Sequence, residues 1–130
     1  MGLKYLWDTN TVIYYLQNHF TPAAERFIDE IIKTSPPAIS VITEIELMCW
    51  KTTKEEDLKI LTNFISEVII FGLEKDIKIG TADIRKAHNI KLPDAIIAAT
   101  AKVHRLKLIT RNVEDFKKVR SLEIINPYNQ

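Results

Sequence analysis

Apolar positions along this chain fall into two kinds of run. Short blocks rich in Ile, Leu and Val alternate with longer stretches in which apolar residues recur every three or four positions. Short blocks of this kind suit buried strands, and the longer periodic stretches suit amphipathic helices. Leu3–Asp8 reads as a strand ended by a polar residue, and Thr11–Gln17 as a short helix carrying Val12, Ile13 and Leu16. Pro22 and Ala23–Thr34 predict a second helix with Phe27, Ile28, Ile31 and Ile32 on one face. Ser35–Pro36–Pro37 breaks it, because proline removes a donor and clashes with the preceding turn. Ala38–Ile42 is a β-branched strand, and Thr43 opens a helix running to about Lys51. Lys54–Ser66 places Leu58, Leu61 and Ile65 in phase, and Glu67–Phe71 is a strand. Glu74–His88 is a long helix with Ile77, Ile84 and Ala87 inside, closed by Asn89 as a left-handed cap. Pro93–His104 is a helix that is apolar nearly all round, and Leu106–Thr110 and Leu122–Ile125 are the last strands.

Four or five short buried strands separated by helices predict an α/β fold with a parallel sheet covered on both faces. Ligands of such sheets sit outside the carboxyl ends of the strands. The length of 130 residues suits a single domain over 1–130. A net charge of +1 excludes a strongly basic coat, so any nucleic acid must bind through a local patch. Cys49 is the only cysteine, which excludes an internal disulfide framework and a cysteine-based zinc site and fits a reducing, cytoplasmic setting. The first residues carry polar and acidic groups, so no secretory signal is expected; position 6 is leucine, so Gly2 does not open a myristoylation motif. No apolar run reaches the ~20 residues of a membrane span.

Acids gather at the strand ends. Asp8 follows the first strand, Glu44 and Glu46 follow the second, and Asp115 lies just beyond the fourth. Right-handed crossovers bring such junctions to one edge of the sheet. Asp94 opens the apolar helix PDAIIAATA and completes a set of four if that helix start meets the same edge. Each acid also has a purely structural reading. Thr43 and Glu46 fit a capping box, Asn112 and Asp115 fit a similar cap, and Pro93–Asp94 fit the first two helical positions. The conjunction shifts the balance. Two carboxylates about 4 Å apart repel by roughly 4 kcal/mol at an effective dielectric of 20. Four of them would weigh heavily on a domain whose whole stability is of order 5–15 kcal/mol. A divalent cation removes that repulsion, and carboxylates with water suit Mg²⁺ or Mn²⁺. A metal held by acids can activate water and stabilise charge developing on a phosphate.

The runs LKYLWDTNTVIYYL, ISVITEIEL, KLPDAIIAATA and LITRNVEDF resemble the four signature blocks of PIN-domain ribonucleases, in particular the VapC-like toxins of toxin–antitoxin pairs. The resemblance runs from Leu3 to about Ile125, and the block around Asp94 is the most specific. It implies a three-layer α/β/α sandwich with a central parallel sheet of four to five strands. It implies Mg²⁺- or Mn²⁺-dependent RNA cleavage with one or two ions, frequent homodimers, and inhibition by a cognate antitoxin. By that resemblance Asp8, Glu46, Asp94 and Asp115 are the catalytic and metal-binding acids, with Asp8 and Asp94 as direct ligands. Asp115 is either a ligand or an acid one step removed. Glu44 competes with Glu46, but positions 44 and 46 lie ~200° apart on a helix, so only one can face the site. Thr110 and Asn112 match polar positions beside the family's site, with Asn112 as a cap or water-positioning group; Asn10 and Arg111 flank the same blocks. Where the family often has glycine after the second acid, this chain has Met48–Cys49–Trp50.

Lys51, Lys91 and Arg111 lie beside the acids in sequence and are either phosphate contacts or members of a solvated face. Arg85 either pairs with an acid near the cleft or serves the surface. His19, His88 and His104 lack zinc spacing, and Cys49 reads as a buried structural thiol. Tyr14, Tyr15 and Phe20 read first as core packing. The leading function is a metal-dependent endoribonuclease acting as a toxin. A catalytically idle module that binds metal or a protein partner is the alternative. An aspartyl-phosphate phosphatase using Asp8 is disfavoured, because Asn10 stands where its second aspartate belongs.

Overall fold

The computed structural model describes residues 2–130. Five strands alternate with seven helices: β1 Tyr5–Trp7, α1 Thr9–Leu16, α2 Pro22–Thr34, β2 Ala38–Ser40, α3 Val41–Met48, α4 Glu55–Glu67, β3 Ile69–Phe71, α5 Lys75–Ala87, α6 Leu92–Val103, β4 Lys107–Ile109, α7 Val113–Phe116 and β5 Ile124–Ile125. All strand pairs are parallel. The ladders form a three-stranded sheet β1–β4–β5 and a two-stranded sheet β2–β3 rather than one hydrogen-bonded sheet of four to five strands, and β1 lies alongside β2 to make one continuous layer. The Lys4 amide at the head of β1 donates to the buried Ser35 hydroxyl at 3.1 Å, which ties β1 to the segment leading into β2.

Strand side chains alternate between faces, and here both faces are buried. Leu6, Ala38 and Leu108 point to one side and pack with Ile77 and Ile84 of α5, Ile97 and Ala98 of α6, and Phe116 of α7. Their neighbours Trp7, Ile39 and Ile109 point to the other side and meet Val12 of α1, Ile28 and Ile31 of α2, Leu47 of α3 and Leu61 of α4. Two helical layers therefore enclose the sheet, an α/β/α sandwich. The unbroken apolar character of α6 has the same cause: its residues Ala95–Ala101 are buried throughout, wedged against α5, α3 and β4.

Two junctions differ from the sequence pattern for the same reason. β1 and β2 are shorter, and α1 and α3 start earlier, at Thr9 and Val41, because Asp8 and Ser40 at the strand ends cap the next helix. Ser40, expected within the second strand, is the N-cap of α3 and accepts from the Ile42 amide at 3.1 Å. Thr43 and Glu46 therefore lie inside the helix and make no capping box. Asn89 is not a left-handed cap either: α5 ends in extended backbone at His88, and the positive-φ positions are Asn18, Arg105 and Ser121. Cys49 is exposed rather than buried. Thr43 and Leu47, four apart, take the inward face of α3, and Cys49 falls just past its end, away from that face. No helix among the described residues is long and apolar enough to cross a membrane.

Candidate active site

The carboxyl ends of β1, β2 and β4 meet at one edge. Asp8 is the residue after β1 and the N-cap of α1; it is 5% exposed. Its Oδ1 accepts from the Thr11 amide at 2.8 Å, and its Oδ2 accepts from the Thr110 hydroxyl. Thr110, the residue after β4, is fully buried, and its hydroxyl in turn accepts from the Asn112 amide at 2.9 Å. Asn112 stands at the head of α7, but its side chain does not cap that helix. The Nδ2 donates instead to Asp115 Oδ2 at 2.7 Å. One chain of hydrogen bonds thus runs from Asp8 through Thr110 and Asn112 to Asp115.

Glu46 enters from α3. Thr9 Oγ1 lies 2.6 Å from Glu46 Oε1 and 3.0 Å from the buried Thr43 Oγ1. With a single hydroxyl proton, Thr9 gives it to the carboxylate and accepts from Thr43. Glu44 makes no such contact with the edge, and Glu46 is the glutamate whose charge acts on both Asp8 and Asp94. Asp94 sits at the third position of α6, after Leu92 and Pro93, rather than at the second. It shares a cavity of about 190 Å³ with Asp115, Asn89, Ile90, Lys91 and Lys118.

Both aspartates have carboxyl groups held above the ordinary value of 3.8. For Asp8 the main cause is burial. Hydrogen bonds from Thr11 and Thr110 oppose it, and repulsion from Glu46 adds to it. For Asp94 burial again comes first, followed by repulsion from Asp115, Glu46 and Asp8, with Lys91 pulling the other way. The four acids are thus electrostatically coupled. None of them takes part in an ion pair among the described residues. Nor do any three His, Cys, Asp or Glu side chains among those residues form a ready-made metal cage. The donor set nevertheless fits a hard divalent ion. It is all oxygen, it is anionic, and each bonded Asp8 oxygen keeps a lone pair free.

The remaining candidates separate. Asn10 is exposed on α1. Arg111 is exposed and lays its guanidinium over the Tyr128 ring at 4.3 Å. Arg85 neither pairs with an acid nor stands free; its Nε donates to the Ile90 carbonyl at 3.1 Å. Trp50 lines an apolar cavity of about 160 Å³ between α1 and α3, with Ile13, Leu16, Leu47 and Glu46 at its walls. Tyr15 packs edge-on against Trp7 in the core. Thr9, Thr11 and Lys118 escape the sequence reading. Thr11 was detectable, because Asp8 and Thr11 have the spacing of an N-cap and its third helical residue. Nothing in the sequence points to Lys118.

The PIN domain family profile matches residues 5–122. The chain is similar to the tRNA(fMet)-specific endonuclease VapC of Salmonella typhimurium, with 29% identity over 130 residues, covering 94% of this chain and 96% of the relative. Among solved structures it is similar to a toxin–antitoxin complex from Klebsiella pneumoniae, with 32% identity, a TM-score of 0.70 and coverage of 96% and 98% of the two chains. It is also similar to a DNA-bound VapBC from Salmonella typhimurium, with 26% identity, a TM-score of 0.81 and coverage of 96% and 98%.

Proposed function

The chain belongs to the PIN domain family, and from that premise we propose that it is a divalent-metal-dependent endoribonuclease, the toxin of a toxin–antitoxin pair. The observation that carries this reading is the coupling of Asp94 to Asp115, Glu46 and Asp8 at one sheet edge, without an ion pair to offset it. Relatives named as a tRNA endonuclease and as toxin–antitoxin complexes support the substrate class and the partner. Ile45 and Met48 of α3, exposed at 50% and 66%, offer an antitoxin an apolar foothold on the helix that carries Glu46.

Asp8 and Asp94 would hold Mg²⁺ or Mn²⁺, with Glu46 and Asp115 completing its oxygen and water environment. When bound, the ion supplies a nucleophilic water at neutral pH and charge stabilisation at phosphorus. The chain's own residues orient these groups. Thr110 and the Thr11 amide fix the Asp8 carboxylate, Thr9 fixes Glu46, and Asn112 fixes Asp115. A carboxylate not engaged by metal would accept the proton from the attacking water.

Incubation of an initiator tRNA transcript with the protein and Mg²⁺ or Mn²⁺ tests the proposal. Cleavage is expected from the wild type, with loss by EDTA and a fall of about 10²–10³-fold in Asp94→Asn, the scale of losing one preorganised electrostatic group. Undiminished cleavage in EDTA, or by Asp94→Asn, excludes the mechanism.

A further inference from the structure

A site made only of acids repels the polyanion it is meant to cut, so something beside it must receive the RNA backbone. Lys118 lies at that place. It lines the same cavity as Asp94 and Asp115, together with Lys91. Its Nζ donates to the Asn89 carbonyl at 2.9 Å, across 29 positions of sequence. An ammonium carries three donors, and this bond uses one, which leaves two. Although it shares a cavity with two carboxylates, Lys118 is absent from the ion pairs of the described residues, and so is Lys91. A cation fixed by a backbone carbonyl and unspent on neighbouring acids is preorganised for an external anion.

We propose that Lys118, held by Asn89 and seconded by Lys91, is the phosphate anchor that seats the RNA backbone beside Asp94 and Asp115. This assignment rests on the ribonuclease reading and adds to it a fixed register between strand and acids. Lys118 is a positioning residue: it binds a phosphate that is not the one being cut. Arg111, next to Thr110 in sequence, is exposed too, but its guanidinium face is spent on Tyr128.

The test is binding of an initiator tRNA transcript as a function of salt, in an Asp8→Asn background that suppresses cleavage and leaves the lysine's cavity unchanged. Each phosphate contact contributes about 0.7–0.9 to the slope of log K against log salt. Lys118→Ala is expected to reduce that slope by about this amount, and Lys118→Arg to restore it. Lys33→Ala, on α2 in an exposed pair with Glu30, serves as the distant control and should leave the slope unchanged. Thermal melting of Lys118→Ala separates binding from a structural role: an unchanged melting temperature with a reduced slope supports the anchor. A slope in Lys118→Ala equal to that of the control overturns it while the ribonuclease reading stands. Absence of any tRNA binding by the Asp8→Asn protein overturns both.

Discussion

Asp8 occupies a contradictory position, a carboxylate buried against the hydrophobic layer of the sheet. Burial disfavours its charge, and the hydrogen bonds from Thr11 and Thr110 favour it. Thr110 matters twice, because its hydroxyl also satisfies the Asn112 amide. Thr110→Val keeps the volume and removes both bonds, leaving a buried acceptor and a backbone donor unpaired. Urea denaturation should show a loss of about 1–3 kcal/mol. Thr110→Ser retains the hydroxyl and should recover most of that loss. Equal stability of the valine and serine variants would remove the hydroxyl from the account. The acid announces itself at a strand end, whereas its threonine partner lies 102 positions away; resemblance marks Thr110 as a polar position beside the site, and the β1–β4 pairing is what brings it to Asp8.

Helix starts decide which glutamate reaches Thr9 and the sheet edge. Ser40 caps α3, and the helix phase then turns Thr43 and Leu47 inward and sets Glu46 against Thr9. Ser40→Ala should destabilise the fold by about 1 kcal/mol, as loss of an N-cap does. Glu46→Gln should lower RNA cleavage, whereas Glu44→Gln should leave both cleavage and melting temperature near wild type; the reverse order would reassign the second acid. The pattern of apolar runs made the element order, the parallel pairing and the two covered faces legible, because burial on both sides forces short unbroken apolar blocks such as Leu6–Trp7, Ala38–Ile39 and Leu108–Ile109. Cap positions were less legible. Ser40 and Thr43 are both good caps, and the end of β2 at Ser40 decides between them. Cys49 looked buried while the helix was drawn through Lys51; with α3 ending at Met48 it lies exposed. Asp8, Glu46 and Asp115 could be read from strand ends and Asp94 from the start of its apolar helix, but Lys118 could not, since its link to Asn89 is purely tertiary.

At the scale of the whole molecule, the sandwich collects its electrostatic strain at one edge and spends the rest of its surface on balanced charge. Stability should therefore respond to pH and metal in a defined sense. Asp8 and Asp94 bind protons more tightly folded than at their ordinary value of 3.8. Between that value and the raised folded values, the native state holds more protons than the unfolded one, so stability falls as pH rises through the window. Their contribution is favourable at the acid end and is lost toward neutral pH. Asp94→Asn removes one member of the repelling set, and its repulsion is on the order of 1 kcal/mol for two carboxylates about 4 Å apart in a water-like dielectric. In EDTA at neutral pH the variant should melt higher by about 3–5 °C, the shift such a gain produces in a chain of this size. Metal should reverse the order. At a hundred times its dissociation constant an ion stabilises the wild type by about 2.7 kcal/mol. Asp94→Asn, lacking one of the two proposed ligands, should gain much less. Melting curves of both proteins, with EDTA and with millimolar Mn²⁺, would therefore cross. Parallel shifts in the two proteins would mean that Asp94 neither repels its neighbours nor holds the ion.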